Sequence, residues 1–129
     1  MNKKRALIAI VNFNGKILIG KKKSDSSKFL AGEWHIPGEN IELGETDEQA
    51  LIRGIREEAG IDITVGKYLV HYTTPTGKEA KWYECFAKTD NIIPGSDLEA
   101  AKFVLKEQVL KIVSKRVPLW PKEIIEYFS

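Results

Sequence analysis

Apolar residues open the chain in two short runs. Arg5 to Phe13 is rich in Ala, Ile, Leu and Val, and Lys16 to Gly20 repeats that character. Asn14-Gly15 stands between them, and both residues tolerate the positive φ of a two-residue turn, so the pattern predicts a β-hairpin. Ser24 to Gly32 is polar and rich in small residues, which predicts a loop. Trp34-His35-Ile36 reads as a short strand ended by Pro37-Gly38.

The pattern then changes period. Ala50, Leu51, Ile55 and Ala59 fall at helical spacing and define one buried face. Thr46 is placed to cap the first amides, with Gln49 as its capping-box partner, and Asp47 and Glu48 suit the positive end of the helix dipole. Gly60 supplies the stop. Alternation returns in Asp62–Thr73 and in Lys81–Lys88, with the turn chemistry of Pro75-Thr76-Gly77-Lys78 between them, predicting a second hairpin. Asp90–Ser96 reads as a loop, Ala101–Leu105 as a last strand and Glu107–Lys115 as an amphipathic helix. A short helix over Lys122–Phe128 follows Pro118 and Pro121. Strands and helices intermixed in this way predict an α/β (α+β) fold, a mixed sheet between helices.

Bulk composition narrows the class. The 129 residues suit one domain, with 43% hydrophobic and 29% charged residues. A formal charge of +2 is too small to argue for a nucleic-acid partner and none is expected, although Lys3-Lys4-Arg5 and Lys21-Lys22-Lys23 leave room for a local anionic one. Cys85 is the only cysteine, so no intramolecular disulfide forms, and a reducing, cytoplasmic location is expected. No apolar run approaches membrane-spanning length, and the apolar residues after Arg5 read as a strand and not as a signal peptide. His35 and His71 have no second nitrogen or sulfur ligand at useful spacing, which argues against zinc. Cys85 is expected to be a buried strand residue, and Trp120 to tie the C-terminal segment to the body.

The chemistry is concentrated between Glu39 and Glu58, which contain seven of the chain's 18 carboxylates. Like charges packed this closely either face solvent or hold a divalent cation. A helix brings residues three and four apart onto one face, so position 54 shares a surface with Glu57 and Glu58, and the loop before Glu45 can fold over it. Carboxylates, a backbone carbonyl from a glycine turn and water together suit Mg²⁺. Lys21 and Lys22 are candidates to hold the anionic end of a substrate, against the alternative of a solvated strand end. Trp34 is either core, pocket wall or a stacking surface for a base.

The stretch from Glu39 to Ile61 resembles the box of the Nudix hydrolases, Gly-x₅-Glu-x₇-Arg-Glu-U-x-Glu-Glu-x-Gly-U with U aliphatic. Glu45, Arg53, Ile55, Glu57, Glu58, Gly60 and Ile61 fall in register. The flanks agree: Trp34-His35-Ile36-Pro37-Gly38 is similar to the strand and turn before the box, and Ile17 to Lys22 is similar to the second strand of MutT-type members. The resemblance implies a single α/β/α sandwich domain over 1–129. It also implies a Mg²⁺- or Mn²⁺-dependent hydrolase of nucleoside diphosphate-linked substrates, working as a monomer or homodimer on a small nucleotide. A nucleoside triphosphate, oxidised purine ones included, split to monophosphate and pyrophosphate is the first expectation. ADP-ribose is an alternative, with Pro75 as its faint sign.

By position, the resemblance makes Glu57, Glu58 and the Gly38 carbonyl the metal ligands, and pairs Arg53 with Glu45 to fix the loop against the helix. Glu42 matches a commonly acidic position, as outer support or as plain surface. Two positions depart from the pattern: Glu39 stands where the box begins with Gly, and Gly54 where a Glu follows Arg53. A missing carboxylate at position 54 implies either a replacement, for which Asp97 and Glu99 are the candidates, or a nucleotide-binding module with weakened catalysis.

Overall fold

The computed structural model describes residues 5–24, 31–73, 77–95 and 97–129. Asn14 and Gly15 take φ of 50° and 78°, and the turn they make joins β1 (Arg5–Phe13) to β2 (Lys16–Lys22). The two strands pair only beside the turn, at Asn12–Ile17 and Phe13–Lys16, and then separate. β3 (Trp34–His35) pairs with β2 at Gly20 and Lys21, while β4 (Gly38–Asn40) pairs with β1 at Ala6 to Ile8. The hairpin is thus split by the segment that follows it.

The short strand does end before Pro37, as expected, but a further strand that the sequence pattern does not predict, β4, begins at Gly38. Pro37 has no amide hydrogen, but its carbonyl accepts from the Ala9 amide at 3.0 Å. Gly38 then approaches β1 closely, since a Cβ there would lie 3.1 Å from the Leu7 carbonyl oxygen. Contact with β1, invisible in the local pattern, turns an apparent stop into a strand.

β5 (Ile63–Thr73) and β6 (Glu79–Ala87) form the second hairpin, whose residues 74–76 lie outside the described part. β6 runs parallel to β1 from Arg5–Glu79 to Asn12–Phe86, and β7 (Leu98–Leu105) runs antiparallel to β2. The sheet is therefore mixed, with the path β3-β2-β1-β6-β5 and with β4 and β7 attached to β1 and β2. β7 begins three residues earlier than the sequence pattern suggests, because pairing with β2 extends it past the apolar run.

Both faces of the central strands are buried. Leu7, Ala9, Val11 and Leu18 pack against Leu51 and Ile55 of α1 (Asp47–Ala59). Ile10, Ile17 and Ile19 point the other way, onto Val109 of α2 (Val109–Ile112), Val113 just after it and Ile124 of α3 (Lys122–Tyr127). Strands buried on both sides carry unbroken aliphatic runs, as β1 and β2 do. The expected helix over Glu107–Lys115 is cut to α2, preceded by a turn of 3₁₀ helix at Lys106–Gln108. Trp120 meets Trp82 edge-on at 5.3 Å and Phe128 at 5.8 Å, which secures the C-terminal segment to the sheet. No helix among the described residues is long and apolar enough to cross a membrane.

Candidate functional site

α1 is placed by both of its ends. The Thr46 hydroxyl accepts from the Gln49 amide at 3.1 Å and the Gln49 side chain accepts from the Thr46 amide at 2.9 Å, completing the capping box. Asp47 ties this end to β6: the Tyr83 hydroxyl donates to it at 2.6 Å and Lys81 at 3.2 Å. Burial pushes the Asp47 carboxyl up, but the Tyr83 and Lys81 hydrogen bonds outweigh it and hold the group below its usual range. At the other end Gly60 closes the helix at φ 68°.

The loop after β6 crosses the C-terminal end of α1. The Ile93 amide donates to the Ala59 carbonyl at 2.9 Å, and the Gly95 amide to that of Glu58 at 2.7 Å. A Cβ on Gly95 would stand 2.0 Å from the Glu57 carbonyl oxygen, so only glycine permits this crossing. The crossing delivers Asp97 to the mouth of a cavity of about 580 Å³.

That cavity lies where β1 and β2 part. Gly38, Glu39, Glu58 and Asp97 line it, as do Lys22, Lys23, Lys78 and Arg116, with Ile8, Ile36 and Leu98 among its apolar residues. Glu58 Oε2 is shielded from solvent. Arg116 is partly withdrawn from water, and burial lowers its guanidinium from the usual range. His35 is buried at 8% exposure, and burial, followed by the positive charges of Arg116 and Lys22, brings its imidazole down to about 4. It is therefore neutral at physiological pH.

Arg53 organises the loop between β4 and α1. Its Nε donates to Glu45 Oε2 at 2.7 Å and its Nη2 to Glu45 Oε1 at 2.9 Å, a two-pronged grip. Nη2 also donates to the Asn40 carbonyl at 3.0 Å, and Nη1 to Glu57 Oε2 at 3.3 Å. Glu45 in turn accepts from the Glu42 amide at 2.9 Å. The Arg53 hydrogen bond, then that amide, holds the Glu45 carboxyl below the usual carboxylate range.

The chain aligns with the NUDIX domain model over residues 1–128. It belongs to the Nudix family. The box spacing supplied the first sign, and the fold agrees. A NUDIX hydrolase from Nitrosomonas europaea superposes with a TM-score of 0.80 at 19% identity, covering 91% of this chain and 66% of that one, a likeness of fold. Among curated proteins, the CTP pyrophosphohydrolase of Escherichia coli K12 is 41% identical over 64 residues, which are 50% of this chain and 46% of the relative. The 8-oxo-dGTP diphosphatase of Proteus vulgaris is 39% identical over 67 residues, or 50% and 58% of the two chains. The chain thus spans about half the length of the curated relatives it matches.

Within this Nudix domain the residues singled out from sequence fall into two groups. Gly38, Glu58, Lys22 and Asp97 meet at the cavity. Glu57 turns toward Arg53 with its side chain 59% exposed and does not line the cavity. Lys21 is held by Glu99 at 3.1 Å, and Ser24 donates to the same carboxylate, so Glu99 is engaged away from the box. Trp34 packs on the core beneath Lys102, whose ammonium lies 4.8 Å from the ring centroid. Sequence reasoning missed Arg116, Lys78 and His35 as cavity residues. Nothing near any of them in the chain signals it.

Glu39, Glu58 and Asp97 bring carboxylates to the cavity and His35 a neutral imidazole, and the carboxylates suit a hard divalent cation. Among the described residues, no three His, Cys, Asp or Glu side chains are grouped so that they could hold a metal ion by themselves. An ion that keeps several waters and takes one or two carboxylates matches that arrangement, and Mg²⁺ is such an ion.

Proposed function

We propose that this protein hydrolyses a nucleoside triphosphate to the monophosphate and pyrophosphate, with Mg²⁺ or Mn²⁺ held by Glu58 and the Gly38 carbonyl. The observation that carries this reading is one cavity bordered both by oxygen donors (Gly38, Glu39, Glu58, Asp97) and by cations (Lys22, Lys23, Lys78, Arg116). A polyphosphate bridged to a divalent ion needs both kinds of partner at once. When bound, the metal supplies charge neutralisation at phosphate oxygens and a water of lowered pKa.

The chain's own residues do the rest. Lys22, Lys78 and Arg116 receive the phosphate oxygens that the metal does not reach. The Arg53–Glu45 pair holds the loop so that the Gly38 carbonyl and the Glu58 carboxylate keep their separation. Ile8, Ile36 and Leu98 offer an apolar surface beside the phosphates for the nucleoside. The names of the two curated relatives, one for CTP and one for 8-oxo-dGTP, support a triphosphate as the first substrate, and a Methanocaldococcus jannaschii relative named ADP-ribose pyrophosphatase, 37% identical over 70 residues, supports ADP-ribose as the second reading.

The test is to incubate the protein with nucleoside triphosphates (CTP and 8-oxo-dGTP included), ADP-ribose and dinucleoside polyphosphates, with Mg²⁺, with Mn²⁺ and with chelator. Metal-dependent pyrophosphate release from a triphosphate is expected. Release from none of them, while the protein still binds nucleotide, would replace this reading with that of a binding module.

A further inference from the structure

Glu39 and Gly54 are 15 positions apart in the chain and in direct contact in the fold. A Cβ built on Gly54 would lie 2.6 Å from Glu39 Cβ, 2.8 Å from its Cγ and 3.2 Å from its Oε2. The space above residue 54 is therefore filled by the side chain of residue 39, and the two positions cannot both carry a side chain in this arrangement. We propose that Glu39 supplies from β4 the carboxylate that helix α1 lacks at position 54, and that it is a third metal-holding group beside Glu58 and the Gly38 carbonyl.

Several observations converge on this assignment. Relative to the box pattern the two departures are reciprocal: Gly has become Glu at 39 and Glu has become Gly at 54. One exchange conserves both the number of carboxylates and the room for them. Gly54 is buried in the middle of α1, where glycine costs about 1 kcal/mol relative to alanine, so helix formation gives no reason for it. Glu39 gives the reason, since its stem needs the bare backbone beneath it.

The Glu39 carboxylate is also held in place. Oε1 accepts from the Asn40 amide at 2.9 Å, and Oε2 lies 3.6 Å from Arg53 Nη1. Its side chain is 23% exposed and borders the same cavity as Glu58 and Gly38. A simple tie between β4 and Arg53 would not require this placement. Arg53 already grips Glu45 with two hydrogen bonds and the Asn40 carbonyl with a third, and its contact with Glu39 at 3.6 Å is an ion pair too long for a hydrogen bond.

The inference rests on the metal-dependent reading above, and its test is a set of variants read by Mn²⁺ affinity as well as by turnover. Free Mn²⁺ is counted by its paramagnetic resonance signal while protein is titrated in, and Tm is measured without metal. Glu39→Gln keeps the shape of the side chain and removes its charge. It is expected to weaken Mn²⁺ binding by about tenfold or more, the scale on which metal sites respond to lost support, with Tm little changed. Gly54→Glu alone is expected to lower Tm, because its Cβ meets the Glu39 stem. The double variant Glu39→Gly with Gly54→Glu is expected to recover both Tm and Mn²⁺ affinity.

Mn²⁺ affinity of Glu39→Gln equal to that of the parent would overturn the assignment, as would a double variant no better than Gly54→Glu alone. Parent protein that binds Mn²⁺ but hydrolyses no nucleotide would sink the enzymatic reading while leaving the Glu39 comparison decisive. Parent protein that binds no Mn²⁺ would overturn both.

Discussion

Arg53 holds Glu45 through two separate nitrogens, at 2.7 and 2.9 Å, and the same guanidinium reaches the Asn40 carbonyl at 3.0 Å. One side chain on α1 thereby fixes β4 and the loop that follows it. Lysine offers a point charge without the planar fork, so Arg53→Lys keeps the attraction and loses the geometry. Its kcat is expected to fall about 100-fold, the scale associated with a misplacement of about 1 Å, while Tm changes less than in Arg53→Ala. An Arg53→Lys variant with unaltered kcat on whichever nucleotide the parent turns over would show that the grip is dispensable.

His35 makes stability depend on acid. Its ordinary value of 6.5 is lowered to about 4 in the fold, first by burial and then by the charges of Arg116 and Lys22. The unfolded chain therefore takes up a proton at a pH where the folded one does not. The stabilisation is complete above about 6.5 and is lost as pH falls toward 4, up to about 3 kcal/mol for a group this well buried. Denaturant titrations of the parent between pH 7.5 and 4.5 should show the decline, and His35→Gln should flatten that part of the curve. Parallel curves for the two proteins would remove His35 as its cause.

Gly95 is where a loop passes over the end of α1 with no room for a side chain, a Cβ there falling 2.0 Å from the Glu57 carbonyl oxygen. Gly95→Ala must lift the loop and break the hydrogen bond to Glu58, at a cost of about 1–3 kcal/mol typical of overpacking. Asp97 moves with it, so nucleotide turnover should fall together with stability. Gly15→Ala is the control: Gly15 has positive φ, 78°, nothing lies within 4 Å of an added Cβ and the residue does not line the cavity, so strain without a clash is expected to leave turnover intact.

Arg116 comes from the segment after α2 and lines the cavity with Lys22 and Lys78. If it receives phosphate oxygens, Arg116→Ala should raise KM for a triphosphate about tenfold, on the order of 1.4 kcal/mol of binding, with a smaller effect on kcat. Arg116→Lys should recover part of the loss. Steady-state kinetics separate this from a structural role, in which kcat and Tm would fall together and lysine would not help.

Much of this could be read along the chain because it depends on neighbours. Asn14-Gly15 makes its turn, Thr46 and Gln49 cap α1 and Gly60 ends it, each through backbone geometry spanning a few residues. The box spacing likewise places Arg53 within reach of Glu45, because a helix beginning at Asp47 presents position 53 on a known side. What only tertiary structure decided lies between distant segments. The splitting of β1 from β2, the strand that Gly38 begins, the arrival of Asp97 under cover of Gly95 and that of Arg116 from the far end each depend on a contact no local pattern encodes. Glu39 and Gly54 show the difference most sharply. In the linear chain they are two separate departures from a pattern, and in the fold one side chain occupies the space that the other position leaves empty.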